Sequence, residues 1–291
     1  MTTLDQNKLY KKQLETSIAL ALDEDAPNGD ITSTLCLEPT QLGEATLFAK
    51  EKGIFFGNDI FSYLNNQFSL KGECIDDSSP FNKGDVLASL SGSLSDILQL
   101  ERVLLNFVAH LSGIATKTNA YVNALNNKNI ALCDTRKTTP GLRYLEKAAV
   151  AAGGGLNHRF SLSDMILIKE NHLDSLTKQH SNATFVLEEK LKAFKKKQPE
   201  TLIQLEIRNL DALKTLPITC CDLLLLDNFS IDQLNRAIHW LKEANYKGQL
   251  EVSGNITLEK LSLYQDKAIH RISVGALTHS VKSLDLSLLI D

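Results

Sequence analysis

No stretch of this 291-residue chain approaches the roughly 18 consecutive apolar residues that a bilayer span requires, which argues against a membrane protein. The start, Met1 to Lys8, has no apolar segment of the secretory kind. Cysteine is sparse and badly spaced for cross-linking: Cys36, Cys74, Cys133, Cys220 and Cys221 are odd in number and form no C-x-x-C pair. A disulfide framework and a structural zinc are therefore not expected, and a reducing, cytoplasmic setting is. There is no basic excess either. Against 35 Asp+Glu stand 31 Lys+Arg, a net charge of -4, so a general nucleic-acid binder is not expected. Also missing are G-x-x-x-x-G-K-[ST], G-x-G-x-x-G and any Ser/His/Asp motif, which removes the commonest nucleotide loops and hydrolase sites.

What is present is globular: 43% hydrophobic and 23% charged residues, in a length that suits two domains. Leu9, Leu14, Ile18 and Leu22 recur at near-helical spacing. Residues 43–91 alternate short β-like runs with Gly and Pro turns around one helical patch, Asp59–Asn65, an α+β pattern with an antiparallel sheet. A long helix is predicted from Ser95 to about Asn126. After Ile130 the grammar changes. Short apolar runs (130–133, 165–168, 202–207, 223–226, 250–252, 269–274) alternate with helical stretches, which implies a parallel sheet with helical crossovers. Periodicity leaves two forms open, a closed or nearly closed barrel and an open doubly wound sheet. Both bind ligands at the C-terminal ends of their strands.

Those ends are chemically biased. Asp134-Thr-Arg-Lys137 leaves the first run, Lys169-Glu-Asn-His172 the second, Glu206-Ile-Arg208 the third and Asp227-Asn228 the fourth. Ser253-Gly-Asn255 and Ser273-Val-Gly275 follow the last two. Arg136, Lys137, His158, Arg159 and Lys169 would repel one another at one mouth unless a multiply charged anion sat among them. The two small loops offer backbone N–H groups to a phosphate. Glu206 and Asp227 suit ribose hydroxyls or a magnesium ion. Taken singly, each charged residue is more often half of a surface pair, Gly153–Gly155 a plain connector, and His172 a helix cap. The lysine-rich run to Lys197 reads as a solvated helix end. From the residues alone the reading stops at a barrel that binds a phosphorylated sugar.

The stretch Asp134-Thr-Arg-Lys-Thr-Thr-Pro-Gly-Leu-Arg143, with Gly153–Gly155, His158-Arg159 and Ile168–His172, resembles the quinolinate phosphoribosyltransferase family. So do Glu101–Asn106, Leu111–Thr116, Glu251–Asn255, Ser273–Ser280 and the early Glu24-Asp25 and Gly29–Thr32. The similarity runs from about Leu20 to Leu288. It implies an N-terminal α+β sandwich domain (1–110, joined by the segment 276–291) followed by an α/β barrel of the type II phosphoribosyltransferase kind (111–275). It also implies transfer of phosphoribosyl from phosphoribosyl pyrophosphate to quinolinate with loss of carbon dioxide, giving nicotinate mononucleotide for NAD synthesis, with Mg2+ as cofactor. Carried over by position, Arg136, Lys137, His158, Arg159 and Lys169, with Thr135 beside them, resemble the residues that bind quinolinate and pyrophosphate. Glu206 and Asp227 resemble those near the ribose and the metal, which comes mainly through the diphosphate. Lys137, Lys169, Glu206 and Asp227 are the catalytic set. Ser253, Gly254, Asn255, Ser273, Val274 and Gly275 resemble a 5′-phosphate site. Arg102 resembles an arginine that the partner subunit of a homodimer supplies in trans. Glu170 departs from the more usual Asp, and Ala148 from a common aromatic. A relative acting on another base, and a non-catalytic phosphosugar-binding regulator, are the competing readings.

Overall fold

The computed structural model describes residues 3–291, with side chains from Asp5 onward. Met1 and Thr2, part of the start read above, lie outside the described residues. The strands in chain order are β1 (Leu42–Ala49), β2 (Gly53–Ile54), β3 (Lys71–Cys74), β4 (Pro80–Phe81), β5 (Val86–Ser93) and β6 (Ala131–Cys133). Then come β7 (Ile166–Ile168), β8 (Ile203–Ile207), β9 (Leu223–Asp227), β10 (Gln249–Ser253), β11 (Arg271–Ser273) and β12 (Leu286–Ile290).

The chain divides into two compact units, one comprising the chain up to Ala120 with Lys137–Gly155 and Ala276–Asp291, the other Tyr121–Arg136 with Leu156–Gly275. The first is built on an antiparallel sheet of order β12-β1-β5-β3. β1 alternates a buried set (Ala45, Leu47, Ala49) with outward residues, the period-2 pattern of a half-covered sheet. Its final strand, β12, comes from the far end of the sequence. The expected break at 110/111 differs from this division in two places. Residues 111–120 continue the helix Leu94–Leu125, and 137–155 join the sheet unit because the helix Arg143–Ala152 is anchored there. Gln13 Oε1 accepts from the backbone N–H of Tyr144 (2.6 Å) and Leu145 (3.2 Å), and Glu146 Oε1 meets His110 Nε2 at 3.0 Å.

The helix Leu94–Leu125 is long and apolar enough, by length and composition alone, to cross a membrane, although it is no unbroken apolar run. Its apolar side chains Ile97, Leu100, Leu104, Val108, Leu111 and Ile114 are buried in the protein, as in a core helix.

The second unit holds a parallel sheet of order β6-β11-β10-β9-β8-β7. The first strand in sequence lies beside the last, which is the cyclic order of a barrel and not the reversal of a doubly wound sheet. Leu156 bridges the free side of β6 at Cys133. β6 and β7 share no pairing among the described residues, so the barrel stays open at that seam. All six strands point the same way, and every C-terminal end opens on one mouth. β8 is buried along its whole length.

Candidate active site

The barrel unit brings Arg136, His158, Arg159, Lys169, Glu206, Asp227, Ser253 and Ser273 to the C-terminal ends of its strands. Lys137 follows Arg136 directly but falls in the sheet unit, where its carbonyl accepts from Thr278 Oγ1 at 2.7 Å. Arg102 is also in that unit, with 71% of its side chain exposed and an ion pair to Glu101 at 3.6 Å. A separate cavity of about 480 Å3 lies at the opposite, N-terminal ends of the strands, lined by Leu202, Asp222, Gln249 and Arg271. It contains none of the expected site residues.

Arg159 is half-buried and donates from Nη1 to the Met165 carbonyl at 3.2 Å. Burial first, and then repulsion from the Arg136 guanidinium, hold its charge below the usual arginine range. Arg136 Nε is itself buried without a hydrogen-bond partner. Two guanidiniums that repel each other and a stranded donor are a site prepared for an anion with at least two negative charges.

Lys169 closes β7 and caps the helix Glu170–Gln179. Its backbone N–H donates to His172 Nδ1 at 3.0 Å, so His172 has the capping role that sequence offered as its plain reading. Lys169 Nζ lies 3.1 Å from Glu206 Oε2. Glu206 is pushed above the usual carboxylate range by burial first and by Glu170 next, with Lys169 pulling the other way and Asp227 adding to the rise. Glu170, held by Arg208 at 2.6 Å, keeps its own proton off more readily than usual, chiefly through its bond with Glu206. Two facing carboxylates cannot both be ionised at low cost, and of the two it is Glu206 whose hold on a proton is raised.

At the next strand ends Ser253 Oγ donates to Asp227 Oδ1 at 2.6 Å, and Asn228 Nδ2 to Asp227 Oδ2 at 2.8 Å. Asn255 Nδ2 reaches Asn228 Oδ1 at 3.2 Å. Gly254 sits at φ +96°, and a Cβ there would lie 2.2 Å from Asn228 Oδ1, so only glycine fits this corner. Asn228 is a site element that sequence reading passed over; its signal was an Asn directly after a strand-end Asp. Among the described residues no group of three or more His, Cys, Asp or Glu could cage a metal. Glu206 and Asp227 are the strand-end carboxylates that would hold a magnesium ion, as oxygen donors of the kind it takes.

His158 does not stand in the mouth as a free cation. Its ring is buried, Nδ1 accepts from the Arg159 N–H at 2.8 Å, and Nε2 therefore carries the proton. Nε2 faces Gln204 Oε1 at 3.1 Å and Glu251 Oε1 at 3.3 Å. Gln204 and Glu251 had no role in the sequence reading. A charge or amide inside an apolar strand run (Ile-Gln-Leu-Glu-Ile, Leu-Glu-Val) was their signal.

Comparison with known proteins gives the family. The family described as the quinolinate phosphoribosyl transferase N-terminal domain matches residues 30–112, and its C-terminal domain matches 114–289. The chain is 41% identical over 288 residues to a probable nicotinate-nucleotide pyrophosphorylase [carboxylating] of Bacillus subtilis, covering 97% of this chain and 94% of that protein. It is 34% identical to the enzyme of that name from Mycobacterium leprae, covering 94% and 95%. The crystal structure of NadC from Streptococcus pyogenes superposes with a TM-score of 0.85 at 34% identity, over 96% of this chain and 98% of that one. The chain belongs to the quinolinate phosphoribosyltransferase family.

Proposed function

We propose that this chain transfers the phosphoribosyl group of phosphoribosyl pyrophosphate to the ring nitrogen of quinolinate, with decarboxylation, as its family does in NAD synthesis. The observation that carries the reading is the Arg136–Arg159 pair, with its mutual repulsion and stranded Arg136 Nε: it matches the two ring carboxylates of quinolinate.

The reaction needs no protein nucleophile. As diphosphate leaves ribose C1, positive charge builds on the sugar and negative charge on the leaving group. Lys137 and Lys169 are assigned to the latter, and Asp227, its two oxygens oriented by Ser253 and Asn228, to the former. Magnesium, bound with the diphosphate, would supply further charge neutralisation. Ser253–Asn255 and Ser273–Gly275 are assigned to the 5′-phosphate. The ring nitrogen, once glycosylated, is a pyridinium that stabilises the carbanion left when the adjacent carboxylate departs as carbon dioxide. A cytoplasmic homodimer completes the reading, with Arg102, exposed and nearly unpaired, supplied to the partner's mouth.

Incubation with quinolinate, phosphoribosyl pyrophosphate and Mg2+ tests it. Nicotinate mononucleotide and carbon dioxide are expected in equal amounts. Turnover of nicotinate in place of quinolinate, or no product at all, would overturn it.

A further inference from the structure

Glu251 lies mid-strand in β10 and is fully buried inside the barrel, where an unpaired carboxylate costs several kcal/mol. It is fully answered. Oε2 accepts from Gln204 Nε2 at 2.9 Å, across β9, and Oε1 accepts from the Ser273 hydroxyl at the end of β11. The Nε2–H of His158 points at the same Oε1 from 3.3 Å. Burial alone would push this carboxyl up, but the bonds from His158, Ser273 and Gln204 outweigh it and hold Glu251 below the usual range, ionised.

Every neighbour of Glu251 is thus a donor, and two of them lead to the mouth. Ser273 opens the Ser273–Gly275 loop. His158, with its Nε2 proton directed at Glu251, presents a bare Nδ1 to the Arg159 N–H. A second acceptor fixes the other side of that turn, since Asp134 Oδ1 takes the His158 N–H at 2.8 Å.

We propose that Glu251 is a positioning residue: one buried carboxylate fixes the His158 tautomer and the Ser273 hydroxyl, and so sets the Arg159 end and the phosphate end of the mouth together. The inference rests on the proposed function for what each end binds, and on geometry alone for the positioning.

Glu251→Gln keeps the volume but turns one acceptor into an amide donor, which meets either the Gln204 amide, itself bonded to His158, or Ser273 and His158 together. Its KM for quinolinate and for phosphoribosyl pyrophosphate should both rise about tenfold or more, with a smaller change in kcat. Nitrogen-15 NMR of the histidine rings, on the ligand-free protein, reads the positioning without any substrate. Wild-type His158 is expected with its proton on Nε2 and a proton-free Nδ1, and that signature should be lost in Glu251→Gln. Wild-type His158 protonated on Nδ1 would overturn the inference even if the variant cannot be folded. So would an Glu251→Gln protein with the wild-type His158 signature, or one in which only one KM rises. A wild type with the expected signature and no turnover of quinolinate would overturn the proposed function and leave the positioning intact.

Discussion

Arg136 and Arg159 repel each other, a repulsion that Asp164 offsets in part and that an entering anion would relieve further. Removing either one deletes a charge-assisted bond to a carboxylate, worth about 1.5–3 kcal/mol. Arg136→Ala and Arg159→Ala should each raise KM for quinolinate by roughly ten- to a hundredfold, with the fold intact by circular dichroism. Steady-state kinetics in which both variants keep the wild-type KM would refute the assignment. Arg136 was legible in sequence because it follows a strand-like run at the repeated position where a charge has to be explained; Arg159, after a helix and a glycine run, was named with it. Gln204 and Glu251 were not. They sit inside apolar runs whose other members predict a strand buried on both faces, and only the closed curvature of the barrel turns their side chains toward one another. His158 was named from sequence but not as an inward-facing residue, because its ring is held by a backbone N–H that sequence does not position.

Elements were readable where their own burial made a pattern. The helix Leu94–Leu125 and the strands β8, β9 and β10 fall within a residue or two of the predicted runs, since each buries a periodic apolar set. The helix Glu170–Gln179 was not predicted. It has no buried residue and therefore no apolar stripe; its start is fixed by the Lys169–His172 cap. β12 was likewise silent as a strand, being defined by its pairing with β1 some 240 residues earlier. The Gly153–Gly155 run, plain as a connector in sequence, proves to be a packing device. A Cβ on Gly153 would lie 2.3 Å from the Ala115 carbonyl of the long helix, and one on Gly155 2.8 Å from Thr118 Cγ2. The obstacle at Gly153 is backbone and cannot rotate away, so the two elements must part. Gly153→Ala should destabilise the protein by about 1–3 kcal/mol. Gly141→Ala, where a Cβ meets open space but φ is +84°, isolates the cost of backbone strain alone. Chemical denaturation should rank Gly153→Ala as the less stable of the two; the reverse order would show that the long helix yields.

At the scale of the whole molecule, the sequence order of the parallel strands was legible and its closure was not. Apolar runs alternating with helices dictate parallel strands, but the pairing of β6 with β11, which makes the sheet a barrel, is a contact between residues about 140 apart. Assembly is one step further from the sequence, and Arg102 gives it a measurable consequence. A helical arginine that is 71% exposed, with a single weak partner at 3.6 Å, is usually a solvated side chain worth almost nothing. Arg102→Ala should then leave activity unchanged. If Arg102 instead completes the partner's mouth, a two-fold dimer has two equal shared sites, and Arg102→Ala should be nearly inactive, as should Lys169→Ala. Refolding the two variants together separates these cases. A mixed dimer has one site with both changes and one with neither. Random pairing makes half of all dimers mixed, so about a quarter of wild-type activity should return. Were Arg102 to serve its own barrel, every site in the mixture would carry one change or the other, and no activity would return. Mass spectrometry of the native dimers, showing that mixed pairs have formed, makes that zero decisive against supply in trans.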